Sequence, residues 1–162
     1  MNESIQSREF GYHKGKTLQA LRYHFISRKE IRIMMIAVNL FAVASAVLFF
    51  LFRISPLAFL ISASLWFLMM IVCWFLLPAR IFKGSDMFRV RFHAEIDEQG
   101  LALHAESGSS RWEWKKFSQY LESPHFFHLY FSGRSFFLIP KEAFVGEELD
   151  KARKLLRKHI SR

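Results

Sequence analysis

Two stretches of this chain carry no charge over a length that matches a lipid bilayer, and they constrain every other reading. Ile33 to Phe52 holds one strongly polar residue, Asn39, and Leu57 to Leu77 holds no charged residue at all. Each run is about twenty residues, and at ~1.5 Å per helical residue each would reach about 30 Å, the thickness of the hydrocarbon core. A core helix of a soluble protein rarely stays uncharged that long, and two in succession argue against a soluble fold. Arg53 is the only formal charge between Ile33 and Leu77.

The composition looks contradictory until it is placed along the chain. The protein is 52% hydrophobic with 19 Phe, yet its net charge is +9. Apolar residues concentrate in the middle and charges in the flanks. The expected organisation is a cytoplasmic juxtamembrane segment over 1–30, a transmembrane helical hairpin over 31–78, and a cytoplasmic β-sheet plus helix domain over 84–162. No secretory signal is expected, because the first apolar run lies behind a charged segment and exceeds an h-region of ~7–15 residues. Cys73 is the only cysteine, so no intrachain disulfide forms, and it reads as a small buried hydrophobe.

Arg53-Ile54-Ser55-Pro56 joins the runs. Ser55 suits an N-cap and Pro56 the first turn of a new helix, where its missing N–H costs nothing. So short a link predicts two antiparallel helices side by side, with Ala42, Ala46, Ala58 and Ser62 available for close packing. Asn39 is expected to hydrogen-bond to the neighbouring helix or a sister subunit. Arg8, Lys14, Lys16, Arg22, Arg28, Lys29 and Arg32 precede the first run, and Arg80, Lys83, Arg89 and Arg91 follow the second. The excess of cations over the single Arg53 of the link places both termini in the cytoplasm.

Residues 17–30 read as a short helix capped by Thr17, with Leu18, Leu21 and Phe25 forming an apolar stripe beside basic residues. That pattern serves equally to lie among lipid headgroups or to pack on the C-terminal domain. Arg22, Arg28, Lys29, Arg32, Arg80 and Lys83 are the expected contacts to anionic lipid. Gly11-Tyr12-His13-Lys14-Gly15-Lys16-Thr17 superficially resembles a phosphate-binding loop. Three residues separate its glycines instead of the required four, and no strand precedes it.

Beyond Pro78 the hydrophobic period changes from helical to alternating. Phe88, Val90, Phe92, Ala94 and Ile96 alternate with charged residues as in a half-buried strand, and Asp97-Glu98-Gln99-Gly100 reads as a turn into Leu101–Ala105. Pairing Ile96 with Leu101 sets His93 opposite His104, Arg91 opposite Glu106 and Phe92 against Ala105. Ser107–Ser110 turns the chain again. A third strand region over 111–121 breaks near Trp114-Lys115-Lys116 and ends at Ser123-Pro124. Phe126–Phe131, Ser132-Gly133 and Arg134–Ile139 form a hairpin stopped by Pro140. Its aromatic residues occupy both faces, so both need cover. Val145, Leu149, Ala152, Leu156 and Ile160 mark a final helix, acidic at its start and basic toward its end. The domain is expected to be a small antiparallel sheet closed by this helix.

Chemistry is sparse. His93 and His104 with Glu95 and Glu106 would be a minimal metal set, but a solvated strand face is the preferred reading, and no metal or cofactor is expected. There is no Ser/His/Asp or Cys/His set and no convergent carboxylate pair. From Arg80 onward 15 basic face 11 acidic side chains, too balanced for nucleic acid.

A basic pre-helix ending Arg22-Tyr23-His24, a tight two-helix hairpin, a strand pair, Trp114-Lys115-Lys116-Phe117 and the stretch Phe136–Phe144 resemble the YcxB-like family of bacterial membrane proteins. The most specific part is Leu138-Ile139-Pro140-Lys141-Glu142-Ala143-Phe144, which reads as a strand end and helix entry. The resemblance implies a pleckstrin-homology-like C-terminal domain and supplies no catalytic activity to carry over, while the acidic turn at Asp97-Glu98 speaks against a phosphate site there.

The fold class expected is therefore membrane α+β. The leading functional expectation is a non-enzymatic interaction module anchored in the bacterial inner membrane, with the lipid bilayer and a protein partner, or a second copy of itself, as its contacts. The alternatives are an oligomeric membrane component, such as a pore or stress-related element, and an immunity or defence protein against a membrane-active toxin.

Overall fold

The computed structural model describes residues 4–132 and 135–160. They form two compact units, one from Leu21 to Gly84 and the other from residues up to Ala20 together with those from Ser85 onward.

The first unit is helical. Helix α1 (Lys14–Ser27) enters it, α2 (Lys29–Phe50) and α3 (Pro56–Ile71) form an antiparallel hairpin, and a π-helical segment (Val72–Leu76) leads into α4 (Leu77–Gly84). Ser55 caps α3 by accepting from the Ala58 N–H at 3.3 Å, with Pro56 in the first turn, as its sequence signals predict. The end of α2 is less legible. Phe52 adopts a left-handed φ of 53°, its N–H donates to Phe49 O at 3.0 Å and the Arg53 N–H donates to Leu48 O at 2.9 Å. This is a Schellman closure with phenylalanine where glycine is usual.

Three expectations are corrected here. Helix α1 starts before Thr17, whose hydroxyl donates to His13 O at 2.9 Å from inside the first turn, so Thr17 is not the cap. The helix also stops at Ser27, because Arg28 is extended (φ −71°, ψ 126°) before α2 begins. Finally, the second long helix does not end near Leu77-Pro78 but continues to Gly84, and the π-helical segment just before Pro78 absorbs the disruption.

The second unit holds two antiparallel sheets. One orders β1 (Ile5–Gln6), β2 (His93–Ile96), β3 (Gly100–Ala105) and β4 (Gly108–Glu113); the other orders β5 (Gln119–Glu122), β6 (Phe126–Tyr130) and β7 (Phe136–Pro140). A 3-10 turn at Trp114–Lys116 separates them, at the place where the sequence predicts a break. Helix α5 (Glu147–His159) follows and buries Ala152 and Leu156. The register predicted for the first hairpin is present, with His93 opposite His104 and Ile96 opposite Leu101. Strand β7 ends on Pro140. The Ser132-Gly133 turn and Arg134 fall partly outside the described residues.

Phe88 lies in a 3-10 turn (Asp86–Arg89) and not in a strand, and β2 begins only at His93. Arg91 therefore does not face Glu106 and instead lies 3.8 Å from Glu9. The residues read as a segment ahead of the membrane also enter the sheet. Gln6 pairs with Glu95, and Phe10 exchanges backbone hydrogen bonds of 2.8 and 2.9 Å with Phe92. One core unites Ile5, Phe10, Ile96, Leu101, Trp114, Phe127, Ile139, Phe144 and Leu156. All five residues of β6 are buried, so both aromatic faces of the last hairpin are covered. Tyr12 supplies part of that cover, its ring lying parallel to Phe126 at 6.5 Å and its hydroxyl donating to Leu138 O at 2.7 Å.

Candidate functional site

Along α2 the half-buried and buried positions are Ile31, Met35, Val38, Ala42, Ser45, Ala46 and Phe49, and along α3 they are Phe59, Ser62, Ala63, Trp66, Met69 and Met70. Both follow a three-four spacing, the narrow seam of two helices packed against each other. Ala42, Ala46 and Ser62 lie on the seam as expected, whereas Ala58 is exposed and Ser45 is the buried small residue of α2. Phe49 stacks on Phe59 with ring centroids 4.7 Å apart near the turn. Midway, Asn39 accepts from Trp66 Nε1 at 3.2 Å while its own amide donates to Met35 O at 2.7 Å. The one strongly polar residue of the first apolar run thus bonds to the neighbouring helix, as expected.

Outside that seam most of the surface of the two helices is apolar and uncovered. Leu40, Phe41, Val43, Leu57, Ile61 and Phe67 are each at least half exposed. Lys29–Phe50 and Pro56–Gly84 are both long and apolar enough to cross a membrane, and only 6% and 11% of their apolar windows are buried. Soluble proteins rarely leave an apolar surface of this extent in water.

The six cations expected at anionic lipid all belong to this helical unit. Arg22 is engaged internally, its Nε donating to Trp74 O at 3.0 Å and its guanidinium lying over the Trp74 and Phe75 rings. Arg28 reaches Glu30 at 3.9 Å. Lys29, Arg32, Arg80 and Lys83 are exposed. On α1 the stripe of Leu21 and Phe25 is buried, joined by Thr17 and His24. Sequence reasoning missed His24 because a histidine inside a basic segment reads as solvated. Its burial, followed by repulsion from Arg28, lowers its pKa to about 4.

In the β-rich unit the charges form ties between elements. Glu122 of β5 accepts from Lys141 at 2.7 Å, from Arg153 and Arg157 of α5 at 3.0 Å, and from the Tyr120 hydroxyl at 3.0 Å. Burial alone would raise its pKa, but Lys141 and Arg153 outweigh that and bring it to about 2. Asp97 stays below the usual carboxylate range although burial opposes ionisation, because it accepts from Arg111 and from the N–H groups of Gln99 and Gly100. Glu98 binds Lys158 and His159 of α5, and that imidazole stacks on Trp114 at 5.3 Å. An open cleft of about 990 Å³ lies beside these groups, and its walls carry both charge signs on Glu98, Arg111, Glu113 and Lys115.

The histidine pair is brought together on the sheet, with ring centroids 6.1 Å apart and His104 Nε2 lying 3.6 Å from Glu95. Among the described residues, no group of three or more His, Cys, Asp or Glu is arranged to hold a metal ion.

The stretch from Leu138 to Phe144 shows how the strand end and helix entry are built. Leu138, Ile139, Ala143 and Phe144 are buried, Lys141 ties to Glu122, and the Ala143 carbonyl accepts from the Arg8 N–H at 2.7 Å. Residues 96–156 match the family model of the YcxB-like proteins. The resemblance read from the sequence holds over this segment. The YcxB-like segment runs from the end of β2 to Leu156 in α5, so it takes in most of both sheets and leaves the apolar hairpin outside. No curated protein and no solved structure matches the chain.

Proposed function

We propose that this is a non-enzymatic protein held in the bacterial inner membrane by its helical hairpin. Both termini lie on the cytoplasmic side, where the β-rich unit acts as a pleckstrin-homology-like module that binds a protein partner. The observation that carries this reading is the exposure of the two long helices, whose apolar windows are only 6% and 11% buried where a soluble core helix would be mostly buried. Withdrawing each large apolar side chain from water is worth ~1.5–3 kcal/mol, so lipid tails are the favourable solvent for that surface. The cations crowd both outer ends of the hairpin, with Arg53 alone at the turn, which supports the orientation.

Two antiparallel sheets of four and three strands closed by a C-terminal helix support the pleckstrin-homology-like reading. The non-enzymatic reading is supported by the carboxylates of Asp97, Glu98 and Glu122, each engaged by a cation that ties one element to another. Asn39 is bonded within its own hairpin, which favours an anchor over a pore built around that residue.

Paired reporter fusions test the topology. A reporter active only in the cytoplasm should work at the C-terminus and fail in the Arg53–Ser55 link, and the protein should stay with membranes after alkaline extraction. Recovery of the full chain in the extracted supernatant would overturn the anchor. Proximity labelling from the C-terminus should then enrich one protein reproducibly, with the label lost when α5 is deleted.

A further inference from the structure

We infer that the lipid-facing side of α2 carries a discrete site for one anionic phospholipid, an acyl chain lying along the helix and the phosphate held at Arg32. This rests on the membrane reading above and adds a ligand class and a stoichiometry to it. A groove of about 400 Å³ runs along α2 from Arg32 past Met35, Ile36 and Leu40 to Val43, with Ile26 of α1 closing one end. These α2 positions recur turn by turn on one helix face, over a length of ~16 Å that takes most of an extended acyl chain.

The groove is apolar in practice as well as in composition. Asn39 borders it, but its amide donates to Met35 O and its carbonyl accepts from Trp66, so neither group needs a partner from the groove. Hydrocarbon suits such a wall better than a polar peptide does.

The cation stands at one end of the groove, on the first turn of α2. Arg32 is exposed and, among the described residues, makes no ion pair, in contrast to Arg28 with Glu30 and Arg22 with Trp74. Lys29 sits three residues before Arg32 on the same helix face, also exposed and without an ion pair among the described residues. Two free cations beside one another at the mouth of a hydrocarbon groove complement a phosphate joined to acyl chains, since a guanidinium binds phosphate oxygens in a fixed fork. With Glu30 the sole carboxylate on this turn, Arg28, Lys29 and Arg32 leave an excess of positive charge, which selects a headgroup of net negative charge.

The test reconstitutes the full chain into nanodiscs of equal phosphatidylglycerol and phosphatidylcholine and counts lipids retained on release by native mass spectrometry. One phosphatidylglycerol should be retained in preference to phosphatidylcholine. Arg32→Gln should lower its occupancy about fivefold. Leu40→Trp, which fills the groove without changing charge, should lower it similarly, while Arg53→Gln at the far end of the hairpin should leave it unchanged. Equal retention of the two lipids, or equal losses in the Arg32 and Arg53 variants, would overturn the site while leaving the anchor intact. Failure of the wild-type chain to enter the discs would sink the membrane reading itself, and the site with it.

Discussion

The Nε of Arg22 donates to the main-chain carbonyl of Trp74 at 3.0 Å, four residues before Pro78 in the continuous helix Pro56–Gly84 that begins with α3. Proline has no N–H to offer the preceding turn, and the Leu77 N–H is already bonded five residues back to Val72 O. A carbonyl that an ordinary helix would satisfy for itself is therefore met by a side chain from α1, reinforced by guanidinium–ring distances of 5.4 Å to Trp74 and 5.5 Å to Phe75. Arg22→Ala should cost about 1–2 kcal/mol, combining a charged hydrogen bond with cation–π contact. In a Pro78→Ala background, where an N–H returns to this turn, the same substitution should cost less. Additive losses in thermal unfolding of the two single variants and the double variant would show that the carbonyl contact is unrelated to the proline.

Asn39 and Trp66 form the one side-chain hydrogen bond described between α2 and α3. Polar pairs inside membranes average only ~0.6 kcal/mol and reach about 1.7, because the separated helices find other partners. Asn39→Leu should therefore weaken the hairpin by about 1 kcal/mol and Trp66→Phe by less, with the double variant close to Asn39→Leu alone. Steric-trapping measurements in bicelles report this directly. Loss of the fold in Asn39→Leu would mean that the asparagine holds more than this bond.

Gly100 marks a close backbone approach in the β-rich unit. A Cβ placed there would lie 2.1 Å from the Trp112 carbonyl oxygen on the paired strand, a backbone atom that cannot rotate away. Gly100→Ala should destabilise by about 3 kcal/mol, at the upper end of overpacking costs, because β3 and β4 must part to admit it. Gly84→Ala is the control, since a Cβ at Gly84 meets nothing within 4 Å. Equal unfolding midpoints for the two variants would contradict the close approach.

How much of this was legible depends on whether local pattern or distant pairing decides the element. The hairpin link, the register of His93 with His104 and the stop at Pro140 were readable, because capping, alternation and a missing N–H act within a few residues. The strand at Ile5–Gln6 was not, since two residues carry no periodicity and their partner lies beyond the whole hairpin, at Glu95–Ile96. Helix continuation through Pro78 was hidden for a related reason: the compensating donor, Arg22, is 52 residues away in sequence. The Glu122 cluster was equally invisible, for its cations come from Lys141, Arg153 and Arg157, and only folding places them around one carboxylate.

His24 and Glu122 should contribute to the acid sensitivity of the protein in different pH ranges. Burial holds the folded pKa of His24 at about 4 against an ordinary 6.5, so below pH 6.5 the unfolded chain takes up a proton that the folded chain refuses. Its contribution to stability is complete above pH 6.5 and declines as pH falls toward 4. Glu122 follows at lower pH, its folded pKa of about 2 lying below the ordinary 4.5, so its contribution persists above 4.5 and fades between 4.5 and 2. His24→Gln should flatten the upper part of the stability–pH curve and leave the lower part sloping. Glu122→Gln should make the lower part shallower, with Asp97 still contributing there, and cost about 2–3 kcal/mol at neutral pH, less than a fully buried pair because Arg157 is 63% exposed. Urea unfolding in detergent from pH 3 to pH 8 reads both slopes, and a Glu122→Gln curve parallel to wild type below pH 4.5 would remove the cluster as the source of the acid limb.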